Sequence, residues 1–380
     1  MTIPPAVRWE VFFDGKEASH MKKSLAFLSA LVLLLTACSG QGQGKTTDDS
    51  STTETEKIEY TNTRMTDFSP LLTSGRIITD GDGLHLDWTY SGFTLNGWFN
   101  GKIEAEVSAV GHKAQLGYLL HITVDGEDRV TRYGLDEKKI TLADVAEGYH
   151  TITVRKTTEG CITTMTVKAL TFTGKADRRP AAPEMRLEVI GDSITIGQGS
   201  RKDDDGKKPF DYIDDCDSYN SYASMTARKL GADINFVAVS GWGVTKGSES
   251  PDNRIPDIYG YTSYMYDRTT EWDFSSYQPD VVVIALGTND GGAQNFGEAA
   301  DSFLKTVREK NPDAYIVWIY GMMNDYLKQT LKDTVAAQND PKISYLDMEA
   351  DTDGGWGHPS YSAQCGYAEK LTAHIKSLTA

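Results

Sequence analysis

The sequence predicts two folded regions of different class: an N-terminal all-β sandwich of the jelly-roll kind and a C-terminal α/β domain with a parallel sheet flanked by helices. Residues 58–175 show short strands of alternating polarity separated by turn residues, with almost no helical periodicity. Residues 186–380 alternate continuous apolar runs with helix-length segments, the pattern of strand–helix–strand units. Residues 176–185 contain two prolines and a charge cluster that interrupt both patterns, and we predict them to be a linker.

The sandwich strands are clearest where apolar and polar residues alternate, and they are predicted at residues 84–88, 101–107, 120–124, 149–155 and 165–172. The third of these runs directly into Asp125-Gly126, a strong signal for a two-residue hairpin turn. Two roles are open for the aromatic residues Trp88, Tyr90 and Trp98: packing in the core, or lining a platform for sugar rings. Aromatic side chains dominate protein cores, which favours packing. No residue in this region indicates chemistry.

The α/β region begins with an apolar run at residues 187–190, and its later strands are predicted at 234–239, 281–286, 315–320 and 343–348. Helices are predicted at residues 218–230, 298–309, 326–338 and 361–377, the first capped by Asp217 or Ser218 and the last by Ser360. Polar motifs follow directly after several of the strands. Because parallel strands end at one edge of their sheet, we expect these motifs to meet there.

Four short motifs carry the candidate chemistry: Gly191-Asp192-Ser193, Ser240-Gly241-Trp242-Gly243, Gly287-Thr288-Asn289-Asp290 and His358-Pro359. Each has an ordinary structural interpretation, with Ser193 as a helix N-cap, Asn289 as a turn residue and His358 as a loop histidine. Together they supply what acyl transfer needs: a nucleophile, a base with a pKa near neutrality, and hydrogen-bond donors where negative charge develops. The combination favours a hydrolytic site.

In this order and at these strand ends, the four motifs resemble the sequence blocks of the SGNH (GDSL-like) hydrolases over about residues 186–380. The resemblance implies that Ser193 is the nucleophile and that His358 is its base. It also implies an oxyanion hole made of the backbone amides of Ser193 and Gly241 and the side-chain amide of Asn289.

The narrower resemblance is to carbohydrate esterase family 2, which joins a small N-terminal β-sandwich to a C-terminal SGNH domain. It rests on this domain order, on residues 266–284 and on the ending His358-Pro359-Ser360. The family implies an acetylxylan esterase-like carboxylic ester hydrolase that removes O-acetyl groups from xylan- or glucomannan-type polysaccharide outside the cell. Trp242 and Trp356 flank the site in sequence and are candidate contacts to the sugar, with packing inside the loops as the alternative.

The chain departs from the SGNH pattern at the acid that orients the histidine. Most members carry an Asp three residues before the His, but that position is Gly355 here and the nearest acid is Asp353. Some members of carbohydrate esterase family 2 use a Ser–His dyad with a backbone carbonyl as the orienting group. A carbonyl can accept the Nδ1 proton and fix the tautomer, so we expect one from residues 353–357 to hold His358, with Asp353 as the alternative.

Two other functions are compatible with the sequence. The first is a non-catalytic surface lipoprotein that binds glycans, against which the intact Ser193, Asn289 and His358 argue. The second is an esterase for another acyl ester, such as O-acetyl peptidoglycan. A lipid substrate is disfavoured because the sequence contains no long apolar segment that would serve as a lid over an acyl chain.

Residues 1–37 are predicted to be a lipoprotein signal region whose true start is Met21. Basic residues follow Met21, and an apolar run at residues 25–35 has the length of a signal sequence rather than of a membrane span. Cys38 directly follows a small residue, as in a bacterial lipobox, and is the candidate lipid anchor. Residues 38–57 are predicted to be a flexible tether. Together these features predict a lipid-anchored protein at the bacterial surface or membrane, outside the cytoplasm.

The formal net charge is −16 and no basic patch stands out, so nucleic acid and anionic lipid are poor partners and an uncharged polysaccharide is a better one. No Cys or His spacing indicates a metal site, and no cofactor is predicted. After Cys38 only Cys161, Cys216 and Cys365 remain, an odd number that leaves at least one of them unpaired. Pairing of Cys216 with Cys365 is a hypothesis.

Overall fold

The computed structural model describes residues 61–113, 116–201 and 211–379. These residues belong to one compact unit, Tyr60–Ala380, which contains both regions. The predicted division at residues 176–185 therefore stays a prediction. The signal region, Cys38 and the tether lie outside the described residues. Within the described ranges, no helix is long and apolar enough to cross a membrane.

The first region is one antiparallel sheet of nine strands, which confirms the predicted all-β architecture of the jelly-roll kind. Its strands are β1 (Asn62–Met65), β2 (Leu72–Ser74), β3 (Ile78–Asp80), β4 (Gly83–Leu86), β5 (Gly92–Gly111), β6 (Tyr118–Val124), β7 (Glu127–Tyr133), β8 (Lys139–Lys156) and β9 (Thr163–Ala176). Their order is β3-β4-β9-β5-β8-β6-β7, with β1 paired to β9 and β2 to β5. The predicted hairpin joins β6 to β7, and Asp125 and Gly126 have the positive φ values that its turn requires, 52° and 90°.

Three long strands, β5, β8 and β9, form the centre of this sheet. β5 pairs with β8 along one edge and with β9 along the other, and register shifts close to Phe99 bend the pairing. The inner faces enclose an apolar core that includes Phe93, Phe99 and Phe172. Trp88 and Tyr90 are buried, as packing requires, whereas Trp98 is 41% exposed.

The second region is a parallel sheet of five strands in the order β11-β10-β12-β13-β14, which confirms the predicted α/β domain. Its strands are β10 (Arg186–Gly191), β11 (Asp233–Ala238), β12 (Val281–Ala285), β13 (Tyr315–Tyr320) and β14 (Ile343–Asp347). Its helices are α1 (Tyr222–Leu230), α2 (Phe296–Lys310), α3 (Lys328–Ala337) and α4 (Tyr361–Thr379). Apolar residues of α1 and α4 share one core cluster with the sheet, and those of α2 and α3 share another.

The strand order places a crevice beside β10. The chain passes from β10 to β11 on one side, and β12 lies on the other side, so successive connections leave in opposite directions. In open α/β sheets, ligands bind at such a point, outside the carboxyl ends of the strands. Ser193 follows β10 and Asn289 follows β12, so the two motifs flank the crevice.

Helix α1 begins later than the sequence predicts, at Tyr222 with Ser221 as its N-cap. The predicted caps have other roles. Asp217 Oδ1 accepts hydrogen bonds from the amides of Tyr219 and Asn220 in a turn. Ser218 Oγ donates to the carbonyl of Thr157 in the first region. A contact between the two regions therefore replaces the first turn of the predicted helix.

The hypothesised pairing of Cys216 with Cys365 is wrong. Both residues and Cys161 are free thiols in the structure. Cys365 Sγ instead lies 3.9 Å from the sulfur of Met225 on α1, so it contributes to helix packing.

Buried polar groups join the two regions. Arg76 Nη2 lies 3.0 Å from Glu188 Oε2 on β10, and both side chains are almost fully buried. The same guanidinium donates to the carbonyl of Tyr259 and lies over the ring of that residue. Further along the interface, Asp87 Oδ2 accepts from the backbone amides of Tyr264 at 2.8 Å and Met265 at 2.9 Å. The first region thus supports loops of the second.

Candidate active site

Ser193 lies in a tight turn directly after β10, and the residue is almost fully buried. The turn begins at Gly191, where a Cβ atom would stand 2.0 Å from Thr195 Oγ1, so only glycine fits. Asp192 Oδ1 accepts the amide of Ile194 at 3.0 Å, and the carbonyl of Ser193 accepts the amide of Gln198 at 3.0 Å. The turn is therefore held by its own hydrogen bonds, and the serine does not act as the N-cap of a helix.

His358 faces Ser193 from the loop between β14 and α4. Its Nε2 atom lies 2.8 Å from Ser193 Oγ, and its Nδ1 atom lies 3.2 Å from the carbonyl oxygen of Trp356. A carbonyl can only accept, so this contact requires the proton on Nδ1 and leaves Nε2 as the acceptor for the serine hydroxyl. The geometry is that of a nucleophile and base in hydrogen-bond contact.

The direction of the Trp356 carbonyl depends on an unusual backbone conformation. Trp356 has φ 60° and ψ 34°, in the left-handed region that a bulky residue seldom adopts. Two contacts hold the loop in place: the amide of Gly355 donates to the carbonyl of Gly199 at 2.9 Å, and Asp351 Oδ1 accepts the amide of Ser360 at 2.7 Å. The histidine loop is thus fixed both to the serine turn and to the start of α4.

Asp353 does not reach the imidazole. Its side chain is exposed, and its carboxylate has no hydrogen bond or ion pair with any described residue. Its backbone amide donates to Asp351 Oδ1 at 3.2 Å. Among the described residues, the group that contacts Nδ1 of His358 is the carbonyl of Trp356.

Asn289 joins the first three motifs. Its Nδ2 atom donates to Asp192 Oδ2 at 3.1 Å and to the carbonyl of Trp242 at 3.0 Å. Its side chain therefore reaches the residue before Ser193 and the residue after Gly241, which a simple turn residue would not do. Both hydrogens of the amide are engaged, so donation to a bound acyl oxygen requires one of these contacts to be shared or opened.

Gly241 lies in the loop after β11 with φ +76°, a conformation that favours glycine. Its backbone N–H donates to no acceptor among the described residues. Gly241 is half-buried, and the residue after it, Trp242, is linked through Asn289 to Asp192, which precedes Ser193. The N–H of Gly241 is therefore available to bind an oxygen atom of a ligand.

Asp290 lies within the third motif but is not among the predicted site residues. Its fully buried carboxylate accepts from the backbone amides of Val244 at 3.0 Å and Thr245 at 2.6 Å. The sequence signal for this role is the position of Asp290 directly after Asn289, at the carboxyl end of β12. The contact holds the loop that contains Gly241.

The electrostatics suit a base at neutral pH. Burial lowers the pKa of the His358 imidazole, and its hydrogen bond to the Trp356 carbonyl opposes that shift. The imidazole is then mostly neutral at pH 7 and can accept a proton. Burial raises the pKa of Asp192 to about 7, and the nearby Asp290 carboxylate adds to this shift.

The two candidate sugar contacts differ in exposure. Trp356 is 58% exposed, and its ring meets that of Tyr212 edge to face at 5.8 Å. Trp242 is partly buried against the core, with Arg268 5.9 Å from its ring centroid. In the described part of the chain, no group of three or more His, Cys, Asp or Glu side chains is placed to hold a metal ion.

The fold and these contacts resemble those of a GDSL-type hydrolase. Residues 189–360 match the model of the GDSL-like lipase/acylhydrolase family. The cellulase/esterase CelE of Acetivibrio thermocellus is 33% identical over 256 residues, which is 62% of this chain and 31% of CelE, so this chain spans about a third of that relative. An acetylxylan esterase / glucomannan deacetylase of Cellvibrio japonicus is 25% identical over 245 residues, 61% of this chain and 68% of that protein.

Solved structures give the same result. A family two carbohydrate esterase from Clostridium thermocellum, solved in complex with cellohexaose, superposes with a TM-score of 0.74 at 29% identity, covering 81% of this chain and 99% of that one. An active-site mutant of a family two carbohydrate esterase from Clostridium thermocellum reaches 30% identity over 98% of its length. Residues 189–360 therefore form a domain of the GDSL-like lipase/acylhydrolase family, and the homologues of the chain include family two carbohydrate esterases.

Proposed function

We propose that this chain is a serine esterase that removes O-acetyl groups from polysaccharide of the xylan or glucomannan type. The observation that carries the proposal is the contact of 2.8 Å between Ser193 Oγ and His358 Nε2, with the other ring nitrogen on a carbonyl. Relatives named for acetylxylan and glucomannan deacetylation supply the substrate class.

The reaction follows from these atoms. Ser193 Oγ attacks the acetyl carbonyl carbon while His358 Nε2 takes the hydroxyl proton. Negative charge then develops on the acetyl oxygen, where the amides of Ser193 and Gly241 and the side chain of Asn289 are the candidate donors. The bond to the sugar oxygen breaks as the imidazolium returns its proton to that oxygen, and a water molecule releases acetate from the acyl-enzyme by the same steps.

Two tryptophans near the candidate site are the candidate contacts to the sugar. The indole of Trp356 is exposed at the mouth, two residues before His358, and Trp242 follows Gly241. Flat aromatic faces suit the apolar faces of sugar rings. In this proposal Trp356 contacts the sugar directly, and Trp242 contributes mainly through its carbonyl contact with Asn289.

The deciding experiment measures acetate release from acetylated xylan, acetylated glucomannan and O-acetylated peptidoglycan, with Ser193→Ala as the control. We expect release from the first two by the wild-type protein and none by the variant. Release from peptidoglycan alone would favour the alternative acyl ester. Binding of deacetylated glycan without release of acetate from any substrate would favour a glycan-binding protein and contradict the proposal.

We also propose that the protein acts outside the cytoplasm, held to a membrane by lipid on Cys38. The support is the short apolar run at residues 25–35 that ends three residues before this cysteine. Cys38→Ser should move the protein from the membrane fraction to the soluble fraction with unchanged esterase activity. Membrane association of the variant equal to that of the wild type would contradict the anchor.

A further inference from the structure

The chain segment between β8 and β9 of the antiparallel sheet is buried against the second region. Every residue from 156 to 165 is buried. The carbonyl of Thr157 accepts Ser218 Oγ at 3.0 Å, and Lys156 Nζ donates to the carbonyls of Thr158 at 2.6 Å and Thr163 at 3.1 Å. The segment is thus fixed by contacts on both sides, and its side chains have defined positions.

Glu159 projects from this segment to the loop that contains Gly241. Its Oε1 atom accepts the backbone N–H of Ser240 at 2.6 Å, a short bond of the kind that a carboxylate makes. Ser240 Oγ in turn donates to Gln198 Oε1 at 2.8 Å, and Gln198 belongs to the turn of Ser193. The residue before Gly241 is therefore held by one side chain from each region.

A second carboxylate holds the other side of the same loop. Asp290 accepts the amides of Val244 and Thr245, as described above, so Gly241 lies between two anchored stretches. The peptide N–H of Gly241 is bonded directly to the carbonyl carbon of Ser240. A shift at the Ser240 amide therefore changes where the Gly241 N–H points.

We propose that Glu159 is a positioning residue for the oxyanion hole, so that the antiparallel region completes the catalytic geometry of the parallel one. The proposal rests on the proposed esterase function. Donors stabilise a transition state only when they are already aimed at the developing charge. Misplacement of a reacting or binding group by about 1 Å costs about a hundred-fold in rate. Without the carboxylate, the amide of Ser240 would be unpaired and the loop would move to find another acceptor.

The test compares Glu159→Ala, Glu159→Gln and Ser74→Ala. Ser74 Oγ donates to Asp233 Oδ1 at 2.6 Å, a hydrogen bond between the same two regions but at the opposite end of β11 from the Gly241 loop, so Ser74→Ala is a matched interface control. With 4-nitrophenyl acetate as the probe, Glu159→Ala should lower kcat about 10- to 100-fold with KM changed less than about threefold. Glu159→Gln keeps an acceptor and should retain kcat within about threefold, and Ser74→Ala should leave kcat unchanged.

Hydrogen exchange provides a second measurement that does not need turnover. Glu159→Ala should raise deuterium uptake in residues 239–245, whereas β10 and β12 should stay protected as in the wild type. Wild-type kcat and unchanged exchange in Glu159→Ala would overturn the proposal, as would equal losses in the Ala and Gln variants. An inactive wild-type protein would contradict the esterase function itself, and the exchange result would then decide the positioning role alone.

Discussion

The antiparallel and parallel regions both bury charged side chains, but the two regions use them differently. In the parallel region, Asp192 and Asp290 accept hydrogen bonds from loops of that same region. In the antiparallel region, Arg76 reaches across the interface to Glu188 on β10, and Asp87 and Glu159 reach to loops of the other region. The candidate reactive groups lie on loops of the parallel region, and some of the side chains that hold this region in place come from the antiparallel region. We therefore expect the largest losses of rate from changes in the parallel region. In the antiparallel region we expect a loss of stability at Arg76 and a smaller loss of rate at Glu159.

The largest effect is expected for Ser193→Ala. Removing the nucleophile of a comparable serine hydrolase lowers kcat about a million-fold, and the variant loses only one hydroxyl, so it should fold. The measurement is acetate release by the variant beside its circular dichroism spectrum and Tm. A folded variant with more than a few per cent of the wild-type rate would show that another group is the nucleophile.

The fold and the positions of the candidate reactive groups were predictable because their signals are local. Continuous apolar runs marked β10 and β12, and the motifs after them had to meet at one sheet edge, which placed Ser193 near Asn289. The groups that hold the candidate reactive residues in position were not predictable in the same way. Glu159 lies 81 residues before Ser240, and nothing near it in the sequence indicates that contact. The Trp356 carbonyl depends on a left-handed backbone at a non-glycine residue, which composition does not reveal.

Arg76→Met tests the support given by the antiparallel region. Removing one member of a buried ion pair leaves Glu188 buried without its partner and costs about 3–5 kcal/mol of unfolding free energy. Urea denaturation, followed by near- and far-ultraviolet circular dichroism, measures the loss. We expect one cooperative transition because the two regions share their buried contacts.

Arg64→Met is the matched control for this change. Arg64 forms an ion pair with Glu106 on the same sheet, at 2.6 Å, but on the exposed surface, where such pairs contribute little. Its unfolding curve should nearly coincide with that of the wild type. Equal losses in the two variants would remove the distinction between buried interface contacts and ordinary surface contacts.

Asn289→Ala tests a candidate oxyanion donor of the parallel region. Loss of one oxyanion donor lowers kcat about 100- to 1,000-fold, and KM should change much less because the donor acts mainly on the transition state. The variant also frees Asp192 Oδ2 and the carbonyl of Trp242, so hydrogen exchange in residues 239–245 should be recorded with the kinetics. A raised KM with unchanged kcat would exclude Asn289 from the oxyanion hole.

The smallest effect is expected for Asp353→Ala. Its carboxylate is exposed and has no hydrogen bond or ion pair with any described residue, whereas His358 Nδ1 faces the carbonyl of Trp356. Loss of a true triad acid costs about ten-thousand-fold in the serine proteases, but here only the local order of the loop should change. We therefore expect at most about a ten-fold fall in kcat, whereas His358→Ala should be nearly inactive.

The pH dependence of kcat/KM distinguishes the Trp356 carbonyl from the Asp353 carboxylate as the group that orients His358, whatever the size of the fall in kcat. The rate requires neutral His358, whose fraction grows as pH rises through its pKa, and burial holds that pKa below its ordinary value of about 6.5. The acid limb of kcat/KM should therefore have its midpoint below about 6.5. A carboxylate that touched the ring would raise the pKa, so its removal would shift the midpoint to lower pH. For Asp353→Ala we expect no shift, because a carbonyl of the main chain stays when a side chain is removed. A thousand-fold loss together with a lower midpoint would instead establish Asp353 as the third member of a triad, reached by a rearranged loop.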